Sequence, residues 1–183
     1  MKTTAAIAGH PIHPALVAFP VAFYTATVLA LVGYEVSGDP FWFRVGLVAA
    51  IGGVAMALIA AIPGAVDLFT AVPRATPART TGLQHAAFNV TALLLFAIAA
   101  ALLWGEWRDT IAPARHGLDA TAPLVLSIIG LAATAVAGAL GWKLVQTHHV
   151  GVDDRVRPTD ATAPGGPRLP LRDMGSRPHR HVH

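Results

Sequence analysis

Histidine supplies most of the chemistry open to this chain, which holds nine imidazoles and no cysteine among 183 residues. Neutral imidazole ligates iron, copper, zinc and haem iron. Without cysteine the chain can form no disulfide, thiolate zinc site, iron–sulfur cluster or cysteine-linked haem of its own. His10 and His13 stand in the run Gly9-His10-Pro11-Ile12-His13-Pro14, where the prolines restrict the backbone around both rings. His85 lies in an otherwise apolar stretch beside Gln84, and Asn89, four residues on, shares its helical face. Asp67 is the one charge in Pro63-Gly64-Ala65-Val66-Asp67-Leu68-Phe69, and His148 and His149 close the last apolar run.

These residues are carried by segments that read as membrane spans. The chain is 54% hydrophobic and 13% charged, with a mean hydropathy of +0.56; soluble domains carry about 25% charged residues. Uncharged runs cover Ala15–Tyr34, Val45–Val66, Thr80–Gly105 and Ala120–Trp142. Each reaches the ~20 residues that cross a hydrocarbon core ~30 Å thick. The first run is read as a retained helix and not a secretory signal, because only Lys2 precedes it and three further spans need a partner. The expected fold is all-α: an integral membrane four-helix bundle of two antiparallel hairpins, with spans at about 15–35, 42–67, 81–104 and 121–148. Pro63 should bend or end the second span. Thr80 or Thr81 is the expected N-cap of the third, and Pro123 fits the first turn of the fourth. From 153 to 183 apolar periodicity is lost, and a disordered cytoplasmic tail is expected.

Alternation of the spans sorts the polar residues between two membrane faces. One face receives His10, His13, Asp67, His85, His148 and His149, from four stretches of chain, and both termini. It also receives Lys2, Arg74, Arg79, Lys143, Arg155, Arg157 and four tail arginines, against Arg44, Arg108 and Arg115 at the other. The positive-inside rule makes the histidine face cytoplasmic, as in a multi-pass protein of a bacterial cytoplasmic membrane. His116 falls at the opposite face, and His179, His181 and His183 fall in the tail. Charge sits on loops and tail without interleaved aromatics, which speaks against nucleic-acid binding.

Ionisable residues inside a membrane are costly and point to function. Two ligand sets follow. His85 and His148, on neighbouring antiparallel helices, can hold haem b as axial ligands, with Asn89 beside the cofactor and the small residues of spans two and four leaving room for it. Alternatively His10, His13, Asp67, His85 and His148 offer up to five nitrogen and oxygen ligands to an iron, copper or zinc ion. The plainer roles are interfacial placement, a helix-end carboxylate bonded to a loop, and interhelical hydrogen bonding. The pattern carries no nucleophile motif, and whether the chain is an enzyme stays open. A homo-oligomer is compatible with the small-residue stripes.

The GHPIHP opening, the span ending in Asp67, Gln84-His85-Ala86-Ala87-Phe88-Asn89, and the closing run Gly141 to Val152 with His148-His149-Val150-Gly151-Val152 resemble a bacterial four-helix membrane family, domain of unknown function 2231. The resemblance covers about residues 9–152 and maps the family motif onto Gly9, His10, Pro11, His13, Pro14, Asp67, His85, Asn89 and His148. His149 stands where the motif has glycine, so which of the two histidines turns inward is open. The resemblance implies a membrane protein without an assigned reaction. Some relatives are fused to Rieske-type iron–sulfur domains, which implies redox work with a separate partner, Rieske-type or quinone-linked. The sequence thus supports a redox site of haem b or a metal ion serving membrane electron transfer, or else a non-redox, zinc-like ion site or a structural or sensory subunit.

Overall fold

The computed structural model of the chain describes residues 4–7, 10–109 and 118–151. His116, the tail histidines and the tail expected to be disordered lie outside the described residues, as does the side chain of His10. The chain divides into two units between Val152 and Asp153, and the first of them holds every described helix.

Four helical stretches are long and apolar enough to cross a membrane: Ile12–Ser37, Pro40–Thr70, Pro77–Arg108 and Thr121–Gln146. The first comprises α1 (Ile12–Leu16) and α2 (Ala18–Ser37). Pro20 has no N–H to give the Leu16 carbonyl, and Val17, still helical at φ −64° and ψ −21°, carries the chain across the break. Ahead of it, the two-residue strands β1 (Ala6–Ile7) and β2 (His10–Pro11) pair antiparallel, Ala6 opposite Pro11 and Ile7 opposite His10.

The remaining helices are longer than their apolar runs. In α3 (Pro40–Thr70) Asp39 caps the start, accepting from Phe41 N at 2.9 Å, with Pro40 in the first turn. Pro63 does not end this helix, which continues through it to Thr70; packed neighbours let membrane helices keep a proline. α4 (Pro77–Asp109) starts earlier than expected. Thr76 caps it, its Oγ1 accepting from Arg79 N at 3.3 Å, so Thr80 and Thr81 lie inside the helix. Arg79 in turn donates to the Leu68 carbonyl at the end of α3 and to the Val72 carbonyl just beyond it, its guanidinium over the Phe69 ring. α5 (Thr121–Gln146) stops short of both closing histidines.

The exterior is apolar, as lipid requires. Leu29, Leu94 and Ile62 are 65%, 57% and 69% exposed, while the interior is built from Leu31, Phe43, Phe96 and Leu103 with many alanines. Close packing within each hairpin needs missing side chains. A Cβ at Gly53 of α3 would stand 2.7 Å from the Tyr24 ring, and one at Gly130 of α5 would stand 2.8 Å from the Phe96 ring. These two contacts are copies of each other. Tyr24 follows His13 by eleven residues, as Phe96 follows His85; Gly53 precedes Gly64 by eleven, as Gly130 precedes Gly141. The second hairpin therefore repeats the first, in the same direction through the membrane. The α2–α3 and α4–α5 pairs form the main interfaces, and α3–α4 and α2–α5 form the lesser ones. That arrangement is an approximate two-fold axis along the membrane normal, a known way to build membrane proteins from parallel repeats. On it Tyr24 and Phe96 stack, centroids 3.7 Å apart and planes 4° from parallel.

Gly53→Val should cost about 1–3 kcal/mol through overpacking against Tyr24, read as a lower unfolding midpoint in detergent. Gly138→Ala, where a Cβ meets nothing within 4 Å, should leave the midpoint unchanged.

Candidate functional site

The repeat brings two histidines together. His13 comes from α1 and His85 lies two turns inside α4; their rings stand 6.1 Å apart between centroids, at 89°. Each is held by the second helix of its own hairpin. His13 Nδ1 lies 2.8 Å from the Ala60 carbonyl oxygen of α3. His85 Nδ1 lies 2.8 Å from the Ala137 carbonyl oxygen of α5. A glycine one turn beyond each carbonyl makes the approach: a Cβ at Gly64 would stand 2.8 Å from His13 Nδ1, and one at Gly141 would stand 3.4 Å from His85 Nδ1.

This geometry assigns the protons. A carbonyl oxygen only accepts, so Nδ1 is the N–H in both rings, and in a neutral ring the lone pair is on Nε2. For His85 the neighbour agrees. Asn89 Nδ2 donates to the His85 carbonyl at 2.9 Å, which sets the amide's orientation, and lies 3.1 Å from His85 Nε2. The amide nitrogen can only donate, so Nε2 accepts. An imidazole whose Nδ1–H rests on a carbonyl, with Nε2 turned to other use, is the usual arrangement of a metal-ligating histidine.

The other expected ligands are placed differently. Asp67 is 7% exposed, and its Oδ1 accepts from Thr4 N at 2.8 Å and Ala5 N at 2.9 Å. The carboxylate thus fastens the segment leading to β1 onto the end of α3, and Thr70 adds a hydroxyl contact to Thr4 at 2.9 Å. His148 lies past the end of α5, with Nε2 3.3 Å from Thr81 Oγ1. Thr81 already donates to the Pro77 carbonyl at 3.1 Å; with its one hydrogen there, His148 Nε2 donates to it. The ring contact of His85 is with His13, and His148 sits beside the residue one turn earlier in α4. His149 is exposed, with a left-handed backbone at φ 51°. Among the described residues no three or more His, Asp or Glu side chains gather as a metal-binding group. The sequence marks Ala137 and Gly141 as small packing residues and Gly64 as part of the run around Asp67, but neither their role beside the rings nor Ala60 was read from it. Their signal was present as one spacing used twice, Gly53-Ala60-Gly64 and Gly130-Ala137-Gly141.

A family model described as predicted membrane protein, DUF2231, matches residues 9–154. Among curated proteins and among solved structures nothing matches the chain.

Asp67→Ala leaves two backbone N–H groups without an acceptor and should destabilise the protein by about 1–3 kcal/mol. Amide exchange at Thr4 and Ala5 should accelerate, while Asp67→Asn, which keeps an acceptor oxygen, should lose less.

Proposed function

The chain belongs to the DUF2231 family of predicted membrane proteins, and from its paired histidines we propose that it carries haem b near the cytoplasmic face and serves membrane electron transfer. One observation carries this reading. His13 and His85, from equivalent positions of two repeats, are anchored through Nδ1–H to backbone carbonyls, with ring centroids 6.1 Å apart. Two neutral imidazoles held side by side in this way would be the residues to hold a shared haem iron or metal ion. A haem would be held by these two histidines, whereas a bare ion would call for more protein ligands than the pair provides. His13 takes the place of His148 as the partner of His85. His148 and Asp67 serve as supports at the same membrane level.

When bound, the haem supplies one-electron chemistry. The chain's own residues do the positioning. The Ala60 and Ala137 carbonyls orient the rings and raise their basicity as ligands. Gly64 and Gly141 admit the rings against the helix backbones. The apolar exterior keeps water from the site. The charge bias supports both termini in the cytoplasm and a bacterial cytoplasmic membrane. Electrons would pass to a separate partner, Rieske-type or quinone-linked, since the chain has no cysteine for a cluster.

Protein purified from membranes should show a Soret band and sharpened visible bands on reduction, with about one iron per chain. His13→Ala and His85→Ala should each lower haem content at least tenfold while the protein stays folded, and His148→Ala should lower it far less. Absent haem and iron would contradict the reading. Stoichiometric zinc without colour would favour a non-redox ion site on the same pair.

A further inference from the structure

Asn89 is the only asparagine in the chain, and it turns outward. It is exposed on α4 between Phe88 and Val90, which are 39% and 53% exposed. The uncharged run of this span begins at Thr80, nine residues earlier. At a rise of ~1.5 Å per residue the amide lies about 14 Å into a hydrocarbon core ~30 Å thick. Neither water nor a phospholipid headgroup serves it at that depth, and a polar group left bare in hydrocarbon is costly.

Only half of the amide is used. Nδ2 carries two hydrogens; one goes to the His85 carbonyl at 2.9 Å and the other to His85 Nε2 at 3.1 Å. Oδ1, which can only accept, has no hydrogen-bond partner among the described residues. The bilayer therefore meets an acceptor whose own donors are spent. Thr91, the exposed hydroxyl two residues on, has given its hydrogen to the Ala87 carbonyl at 3.0 Å. A second copy of the chain docking here would bring another Asn89 with no hydrogen to spare. The complement is a neutral molecule that carries an O–H donor into hydrocarbon. Fatty acids ionise near neutral pH and stay at the membrane surface. A phenolic hydroxyl, with a pKa of about 10, stays neutral, and an apolar chain carries it inward. Phe88, exposed beside the amide, offers an aromatic surface to such a ring.

We infer that the outer face of α4 at Asn89 is a binding site for a bilayer-dissolved, long-chain hydroquinone, whose hydroxyl donates to Asn89 Oδ1. The same chemistry rejects the oxidised form. A quinone's carbonyl oxygens only accept, and they would meet Oδ1 lone pair to lone pair. The site thus distinguishes the redox state of its ligand by binding alone, with no electron or proton transferred. Donation to Oδ1 polarises the amide and strengthens its N–H bonds, so the ligand is felt at His85 Nε2. In naming a hydroquinone the inference rests on the electron-transfer reading above, but it uses the His85–Asn89 contact as it stands and needs no haem.

The test uses the full-length protein in lipid nanodiscs, labelled with ¹³C at the asparagine carboxamide carbon, so that one resonance reports Asn89. It is titrated without oxygen with a hydroquinone bearing a short isoprenoid chain, with the matching quinone, and with the dimethyl ether of the hydroquinone. The hydroquinone should move the resonance saturably to higher frequency and shift the His85 Nε2 ¹⁵N resonance with it, while the quinone and the ether should leave both in place. The hydroquinone should bind about threefold to tenfold more tightly than its ether, the worth of one hydrogen bond, and Asn89→Leu should erase that ratio. A resonance that ignores the hydroquinone, or answers all three compounds alike, overturns the inference. One that moves instead with the protein-to-lipid ratio assigns Oδ1 to a second copy and also overturns it. The expected shift in protein that proves free of haem and iron upholds the site while the haem reading fails.

Discussion

A half-buried imidazole in a membrane-spanning helix needs a partner for its N–H. In this protein the partner is a backbone carbonyl of the next helix, Ala60 for His13 and Ala137 for His85. A helical carbonyl already accepts from its own helix, but its second lone pair is open where another helix comes close enough. Closeness is the constraint. Glycine at 64 lets the helices approach so far, because a Cβ there would press on the His13 ring at 2.8 Å, and one at 141 would crowd the His85 ring at 3.2 Å. From that contact follow the tautomer of each ring, the direction of each Nε2 and the pairing of the two hairpins at one membrane level.

Duplication turns one such contact into a pair. A single hairpin holds one histidine on one carbonyl; two hairpins in the same direction, related by an approximate two-fold axis, set two histidines facing the axis. The same axis stacks Tyr24 on Phe96 deeper in the bilayer. The departures from symmetry are as informative as the repeat. Asp67 corresponds to Leu144 in the second hairpin, and it fastens the N-terminal segment that the second hairpin does not have. Asn89 corresponds to Val17 and lies on one ring of the pair. Symmetry places the rings, and the exceptions give each hairpin its own work.

Much of this was legible in the residues. Four uncharged runs announced four spans, and alternation through the membrane sent His13 and His85 to the same face. Partnership was harder, because alternation fixes depth and says nothing of rotation about the helix axis. His148 shares the depth of the pair but follows the end of α5, where its ring turns to Thr81. Asp67 was expected among the ligands because it is a lone charge in an apolar run. What occupies it is a pair of backbone N–H groups some sixty residues earlier in the chain, which no local pattern encodes. The start of α4 was missed for a simpler reason. Thr76-Pro77-Ala78-Arg79 looks like loop by polarity, yet a threonine cap before a proline in the first turn is a helix start. The repeated Gly-Ala-Gly spacing was readable, and it marked the carbonyls that anchor the rings.

Everything proposed for the site depends on two carbonyl-anchored imidazoles presenting Nε2 lone pairs to one place in the membrane. Imidazole ¹⁵N spectroscopy of the cofactor-free protein, with assignments from His13→Ala and His85→Ala, measures this directly. Both rings should be the Nδ1–H tautomer at neutral pH, each N–H protected from exchange. An Nε2–H tautomer at either ring, or rapid exchange of either Nδ1 proton, would contradict it.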